Sequence, residues 1–255
     1  MIELSPVHQH LVDTVPLAPT AELVETVVAY RHGEQPLEGY AVHDAAITAP
    51  KPGVLVIHDW TGLREYPKAR ARMLARLGYV ALAVDVYGTG RRFDDQEAAA
   101  AEAAVYYGDL PLLRARVRAG YDRLAADPAV DPDRIAVIGY CFGGSAALEF
   151  ARTGAPVVGT ATFHAGLITH DPADVDRITG QLLIATGGSD PVVPDAAVTA
   201  LQDELRTRDD LDWQVVTYSG APHAFTLPGI PNYRPDADRR SWQALRAFLD
   251  EVFTR

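Results

Sequence analysis

One cysteine, Cys141, stands in 255 residues, so the chain closes no disulfide within itself and assembles no thiolate cluster for a structural zinc. Basic residues are outnumbered, 23 Lys and Arg against 34 Asp and Glu, and the net charge of -11 repels phosphate backbones, which removes nucleic acid from the expected partners. Nowhere do about eighteen uncharged apolar residues run together, as a membrane span requires. The opening MIELSPVHQHLVDTVPLAPT has no basic region followed by an apolar core. A cytoplasmic protein without membrane association is the expectation. What is present is ordinary: 48% hydrophobic and 22% charged residues, the balance of a chain that folds around a core. The length suits a single α/β domain over residues 1–255.

The first twenty residues carry three prolines and no clear period, and are read as a surface arm over residues 1–20. Val24 to Tyr30 and Leu37 to His43 flank His32-Gly33-Glu34 as an opening hairpin. Val54 to Ile57 is a continuous apolar run, as in a strand buried on both faces. Tyr66 to Leu77 follows as a helix with Met73, Leu74 and Leu77 inward and Arg70, Arg72 and Arg76 toward water, ended by Gly78. The alternation continues: a strand at Tyr79 to Val86, a long helical region to Ala126 that includes alanine-rich Ala98 to Ala104, a strand at Ile135 to Ile138, and a helix at Ser145 to Thr153. Strands at Val157 to Phe163, Leu182 to Thr186 and Trp213 to Tyr218, with helices at Asp195 to Arg208 and Asp238 to Phe253, complete it. Buried strands separated by amphipathic helices predict a doubly wound, mostly parallel sheet flanked by helices.

The informative segment is Ile135-Ala136-Val137-Ile138-Gly139-Tyr140-Cys141-Phe142-Gly143-Gly144-Ser145. It reads as a buried strand, Gly-x-Cys-x-Gly, and a helix start. A nucleophile on so tight a turn is lifted to the sheet edge, and close backbone approach requires small flanking residues. At about 7% glycine, chance puts glycine at both positions about once in two hundred cysteines. The competing reading is a buried inert thiol. A helix N-terminus favours the thiolate, and the Phe142 N–H is placed to bond the oxygen of a tetrahedral intermediate. A second donor is expected from Ile57-His58-Asp59-Trp60-Thr61-Gly62, with Trp60 N–H the choice.

In α/β-hydrolases the acid and then the histidine follow the nucleophile along the chain. Asp190 follows the strand Leu182 to Thr186, and His223 follows the strand Trp213 to Tyr218. Both fall on loops at carboxyl ends of strands, where ligands bind in open α/β sheets. Singly, such an aspartate is commonly a turn former and such a histidine a solvated one; their order and placement favour a triad.

Gly139 to Gly144, Asp85-Val86-Tyr87, Gly187 to Asp190 and Gly220 to Phe225 together resemble the dienelactone hydrolases, the cysteine-using branch of the α/β-hydrolase superfamily, from about Val24 onward. The resemblance implies the α/β-hydrolase fold, Cys141 as nucleophile with Asp190 and His223, and oxyanion donors Phe142 and Trp60. It also implies an acidic residue after the first long buried strand that keeps the resting thiol protonated. The family usually has glutamate there and this chain has Asp59, for which a turn or helix cap is the alternative. Tyr140, His164 and Phe225 are further pocket candidates, and Leu227 to Tyr233 is a proline-stiffened loop beside them. Family members that process carboxylated dienelactones clamp the carboxylate with arginines. Here Leu227 stands at one such place and Gln96 to Tyr107 holds no basic residue, leaving Arg91 and Arg92 nearest.

The function expected is hydrolysis of a small ester or lactone through an acyl-enzyme thioester, with no metal or organic cofactor required and the choice between monomer and homodimer open. The alternative is a thiol redox sensor or binding protein on the same scaffold.

Overall fold

The computed structural model describes residues 2–167 and 170–254. The chain divides into two compact units, Met1–Ile135 and Ala136–Arg255. In the first, β1 (Leu23–His32) and β2 (Gln35–Asp44) form the antiparallel hairpin, turning at Gly33 with φ +55°. β2 pairs antiparallel with β4 (Val80–Val84), and β4 pairs parallel with β3 (Lys51–Ile57), reached through α2 (Glu65–Arg76). Every residue of β4 is buried, as the unbroken apolar run requires.

β5 (Val130–Tyr140) leads into the second unit, where β5, β6 (Gly159–Phe163), β7 (Gln181–Gly187) and β8 (Trp213–Tyr218) lie side by side and parallel. The connections are α5 (Phe142–Ala151) and α6 (Asp195–Leu205), with α7 (Pro235–Thr254) after β8. Leu148, Ile184, Leu201 and Leu205 meet in one buried cluster of this unit, the apolar burial that holds helices on a sheet.

Within the N-terminal arm, residues 6–13 form a helix, α1 (Pro6–Asp13), with Leu11 and Val12 buried. Three sequence readings are corrected. The region before Ala126 is two helices, α3 (Gln96–Gly108) and α4 (Leu110–Ala125), because Asp109 caps the second by accepting from Leu112 N and Pro111 prevents continuation. The helix after Cys141 begins at Phe142, three residues before Ser145. Arg70 and Arg72 are buried. Arg72 pairs with the Glu25 carboxylate at 2.7 Å and donates to Tyr40 Oη at 2.9 Å, which offsets its desolvation; Arg70 lies 5.2 Å from the Tyr66 ring and donates to its hydroxyl at 3.2 Å.

Candidate active site

Cys141 stands between β5 and α5 in a conformation few side chains adopt, φ +55° and ψ −118°. Such backbone costs about 1–3 kcal/mol and persists only where the surroundings enforce it. Here Cys141 N–H donates to Phe163 O at 2.9 Å, while its carbonyl accepts from Gly144 N and Ser145 N at 3.0 and 3.2 Å. Gly139 is required by space: a Cβ there would lie 1.9 Å from Gly143 O. At Gly144 a Cβ would meet Ala165 Cβ at 2.7 Å. The two glycines let the first helical turn fold back on its strand. Phe142 is the first residue of α5, where backbone N–H groups are not consumed by the helix's own ladder.

β7 delivers Asp190 and β8 delivers His223 to the same place. Gly187 allows it, since a Cβ there would fall 2.4 Å from Ala221 O, and Ser189 N–H donates to that carbonyl at 2.9 Å. His223 Nε2 lies 3.2 Å from Cys141 Sγ, and His223 Nδ1 lies 2.9 Å from Asp190 Oδ2. The other Asp190 oxygen accepts from Val192 N and Val193 N at 2.8 and 3.1 Å, so the fully buried carboxylate is fixed in direction. Burial of His223 opposes its protonation, but hydrogen bonds to Asp190 and Cys141, with the charges of both, push its pKa from 6.5 up to about 10. This arrangement holds a proton on the imidazole between a sulfur and a carboxylate. Asp195, by contrast, lies in the first turn of α6.

Tyr140, His164 and Phe225 are buried around the histidine. Tyr140 stacks on Phe163 at 4.7 Å, and the His164 ring stands edge-on to His223 at 5.3 Å and to Phe225 at 5.4 Å. Asn232 Nδ2 donates to His223 O at 3.0 Å and Arg234 N–H to Phe225 O at 3.0 Å, tying the loop after His223 back onto the histidine segment.

In the first unit, Asp59 Oδ1 accepts from Thr61 N at 2.8 Å and from Thr61 Oγ1 at 2.6 Å. Trp60 O accepts from Tyr87 Oη at 3.1 Å. Sequence reasoning passed over His58, which is wholly buried and deprotonated more readily than usual because of it. Its Nε2 accepts from Val86 N at 3.1 Å, so the proton sits on Nδ1 and goes to Asp59 O at 2.6 Å. That fixed neutral tautomer braces the loop carrying Asp59 and Trp60. Its signal in the sequence was position alone, directly after the buried run of β3. Arg91 is paired with Glu102, and Arg92 with Glu38 at 3.0 Å. No group of three or more metal-ligating side chains occurs among the described residues, and no helix among them is long and apolar enough to cross a membrane.

The sequence profile of the dienelactone hydrolase family matches residues 37–253. The chain belongs to the dienelactone hydrolase family. Among solved structures, a dienelactone hydrolase-like promiscuous phosphotriesterase from metagenomic libraries superposes with a TM-score of 0.86 at 39% identity, over 91% of this chain and 99% of that one. A Bradyrhizobium sp. protein named "Probable 2-oxo-3-(5-oxofuran-2-ylidene)propanoate lactonase" is 29% identical over 213 residues, 80% of this chain and 85% of its own. A Synechocystis protein, provisionally named a carboxymethylenebutenolidase, is 24% identical over 255 residues, 89% of this chain and 96% of its own. This dienelactone hydrolase family member has the α/β-hydrolase fold and is a hydrolase of carboxylic esters or lactones.

Proposed function

We propose that this family member cleaves a small, uncharged ester or lactone through Cys141, His223 and Asp190 by way of an acyl-enzyme thioester. The observation that carries the reading is the line of contacts from sulfur to imidazole to carboxylate, 3.2 and 2.9 Å. His223 takes the thiol proton, and Asp190 orients the ring and stabilises the imidazolium. The sulfur attacks the carbonyl carbon, and the oxyanion is received by Phe142 N–H, with Trp60 N–H assigned as second donor. The C–O bond breaks as His223 returns its proton to the leaving oxygen. Water deprotonated by His223 then attacks the thioester, releasing the acid and restoring the thiol. A lactone opens by the same steps, its leaving oxygen staying attached to the product.

The reading of the substrate as uncharged is supported by Leu227 and by the engagement of Arg91 and Arg92 with Glu102 and Glu38. A second substrate class, neutral aryl phosphotriesters, is favoured by the 39% identity to the promiscuous phosphotriesterase; the same sulfur would attack phosphorus as the P–O bond to the aryl oxide breaks, the leaving oxygen taking the proton from His223, and water would then hydrolyse the S–P bond. The test is a panel of short aryl esters, neutral lactones, carboxylated lactones and an aryl phosphotriester, offered to wild type and Cys141→Ala. Turnover of neutral esters or lactones by wild type alone supports the proposal. Equal turnover by both proteins overturns it, and a thiol oxidised by peroxide without any ester turnover favours the redox-sensor reading.

A further inference from the structure

We propose that His164 is a positioning residue for His223, acting through Thr226. The inference rests on the reading of Cys141 and His223 as nucleophile and base. His164 follows the last residue of β6 and has φ +42°, a left-handed conformation that a bulky side chain adopts at a cost. Its N–H donates to Ala185 O at 2.8 Å, which continues the β6–β7 pairing one step beyond Phe163 while the backbone turns. The turn places the imidazole in the interior, where His164 is 2% exposed.

There His164 Nε2 lies 2.7 Å from Thr226 Oγ1. Thr226 is itself wholly buried and stands three residues after His223. The intervening chain reverses at Ala224, with φ +61°, and closes with Leu227 N–H on Ala224 O at 3.0 Å. The histidine turn is therefore held from two sides. Asn232 and Arg234, on the loop just beyond it, bond the carbonyls of His223 and Phe225. His164 bonds the turn from the end of β6, next to the strand end that also receives Cys141 N–H at Phe163 O. Nucleophile and base are thus referenced to the same two adjacent residues, Phe163 and His164. The His164 ring also stands edge-on to the His223 ring, 5.3 Å between centroids.

Displacement of a reacting group by about 1 Å costs about 10²-fold in rate, so a loosened histidine turn is expected to lower kcat with little change in KM. Two substitutions remove the contact while keeping shape: Thr226→Val replaces the hydroxyl with a methyl, and His164→Phe keeps a ring without nitrogen. Thr226→Ser retains the hydroxyl and serves as the rescue.

The experiment measures kcat and KM with a neutral aryl ester, and separately the rate of Cys141 alkylation by iodoacetamide at pH 7.5, which needs no substrate turnover. Expected are a fall in kcat of about 10- to 100-fold for Thr226→Val and His164→Phe, KM within about threefold of wild type, slowed alkylation in both, and near wild-type values for Thr226→Ser. Folded variants with unchanged kcat and alkylation overturn the proposal, as does a loss confined to KM, which would make His164 a substrate contact. If His164→Phe does not fold, Thr226→Val decides by the same criteria. Failure of the underlying reading is seen separately, as ester turnover retained by Cys141→Ala.

Discussion

Asp190 offers His223 one oxygen at 2.9 Å while its other oxygen is held by the N–H groups of Val192 and Val193. The carboxylate cannot turn without breaking two backbone hydrogen bonds inside a buried site, so the direction of the histidine ring is set by the loop after β7. Asp190→Asn keeps the shape but allows an amide N–H to face Nδ1, which favours the wrong imidazole tautomer. A loss in kcat of about 10⁴-fold is expected by analogy with serine triads. Steady-state kinetics of this variant beside Asp195→Asn check it. A larger loss from Asp195→Asn would reassign the acid.

The raised pKa of His223 makes stability depend on pH in a defined window. A group whose pKa is 6.5 unfolded and about 10 folded binds more protons in the native state between those values, so stability falls as pH rises there. Its contribution is fully present below pH 6.5 and lost as pH approaches about 10. Urea unfolding of wild type and His223→Gln from pH 6 to 10 measures this. The stability difference between them should drift against wild type as pH rises, and a constant difference would contradict the raised pKa.

Gly139→Ala drives a Cβ to 1.9 Å from Gly143 O, a backbone atom with no side-chain freedom to yield. The expected loss of stability is at or above the top of the 1–3 kcal/mol typical of overpacking, about 3 kcal/mol, with activity lost as the turn opens. Denaturant midpoints check it. An unchanged midpoint would mean the turn is softer than its contacts indicate.

Much of this was legible in the sequence because periodicity and punctuation report local structure. The buried run of β4, the Gly-x-Cys-x-Gly turn and the order of Cys141, Asp190 and His223 need no knowledge of distant residues. Arg72 was placed in water because its partners, Glu25 and Tyr40, belong to strands far away in the chain, and a helical pattern cannot show them. The split at Asp109 was written as a capping residue before Leu-Pro and was passed over for the helix propensity on either side. His58, Thr226 and the left-handed His164 carry no pattern at all; their roles arise only when strand ends meet.

The proposed preference for an uncharged substrate is tested by substrate charge. With Arg91 and Arg92 paired to Glu102 and Glu38, a buried substrate carboxylate lacks a dedicated cation, and such a charge costs several kcal/mol, with about 1.4 kcal/mol per tenfold. A neutral lactone ester should exceed the corresponding lactone acid in kcat/KM by about 10² or more. Preference for the acid would contradict this. It would mean that Arg91, Arg92 or the exposed Arg234 reaches the substrate.

The central claim is that Cys141 Sγ carries the acyl group. Acid-quenched mass spectrometry during turnover of an aryl ester, followed by peptide mapping, tests it most directly. The account predicts an acyl mass on the peptide containing Cys141 that forms and decays at least as fast as turnover, and in Cys141→Ala no adduct and activity lower by at least about 10³-fold. An acyl group on another residue, or wild-type turnover by Cys141→Ala, would contradict it.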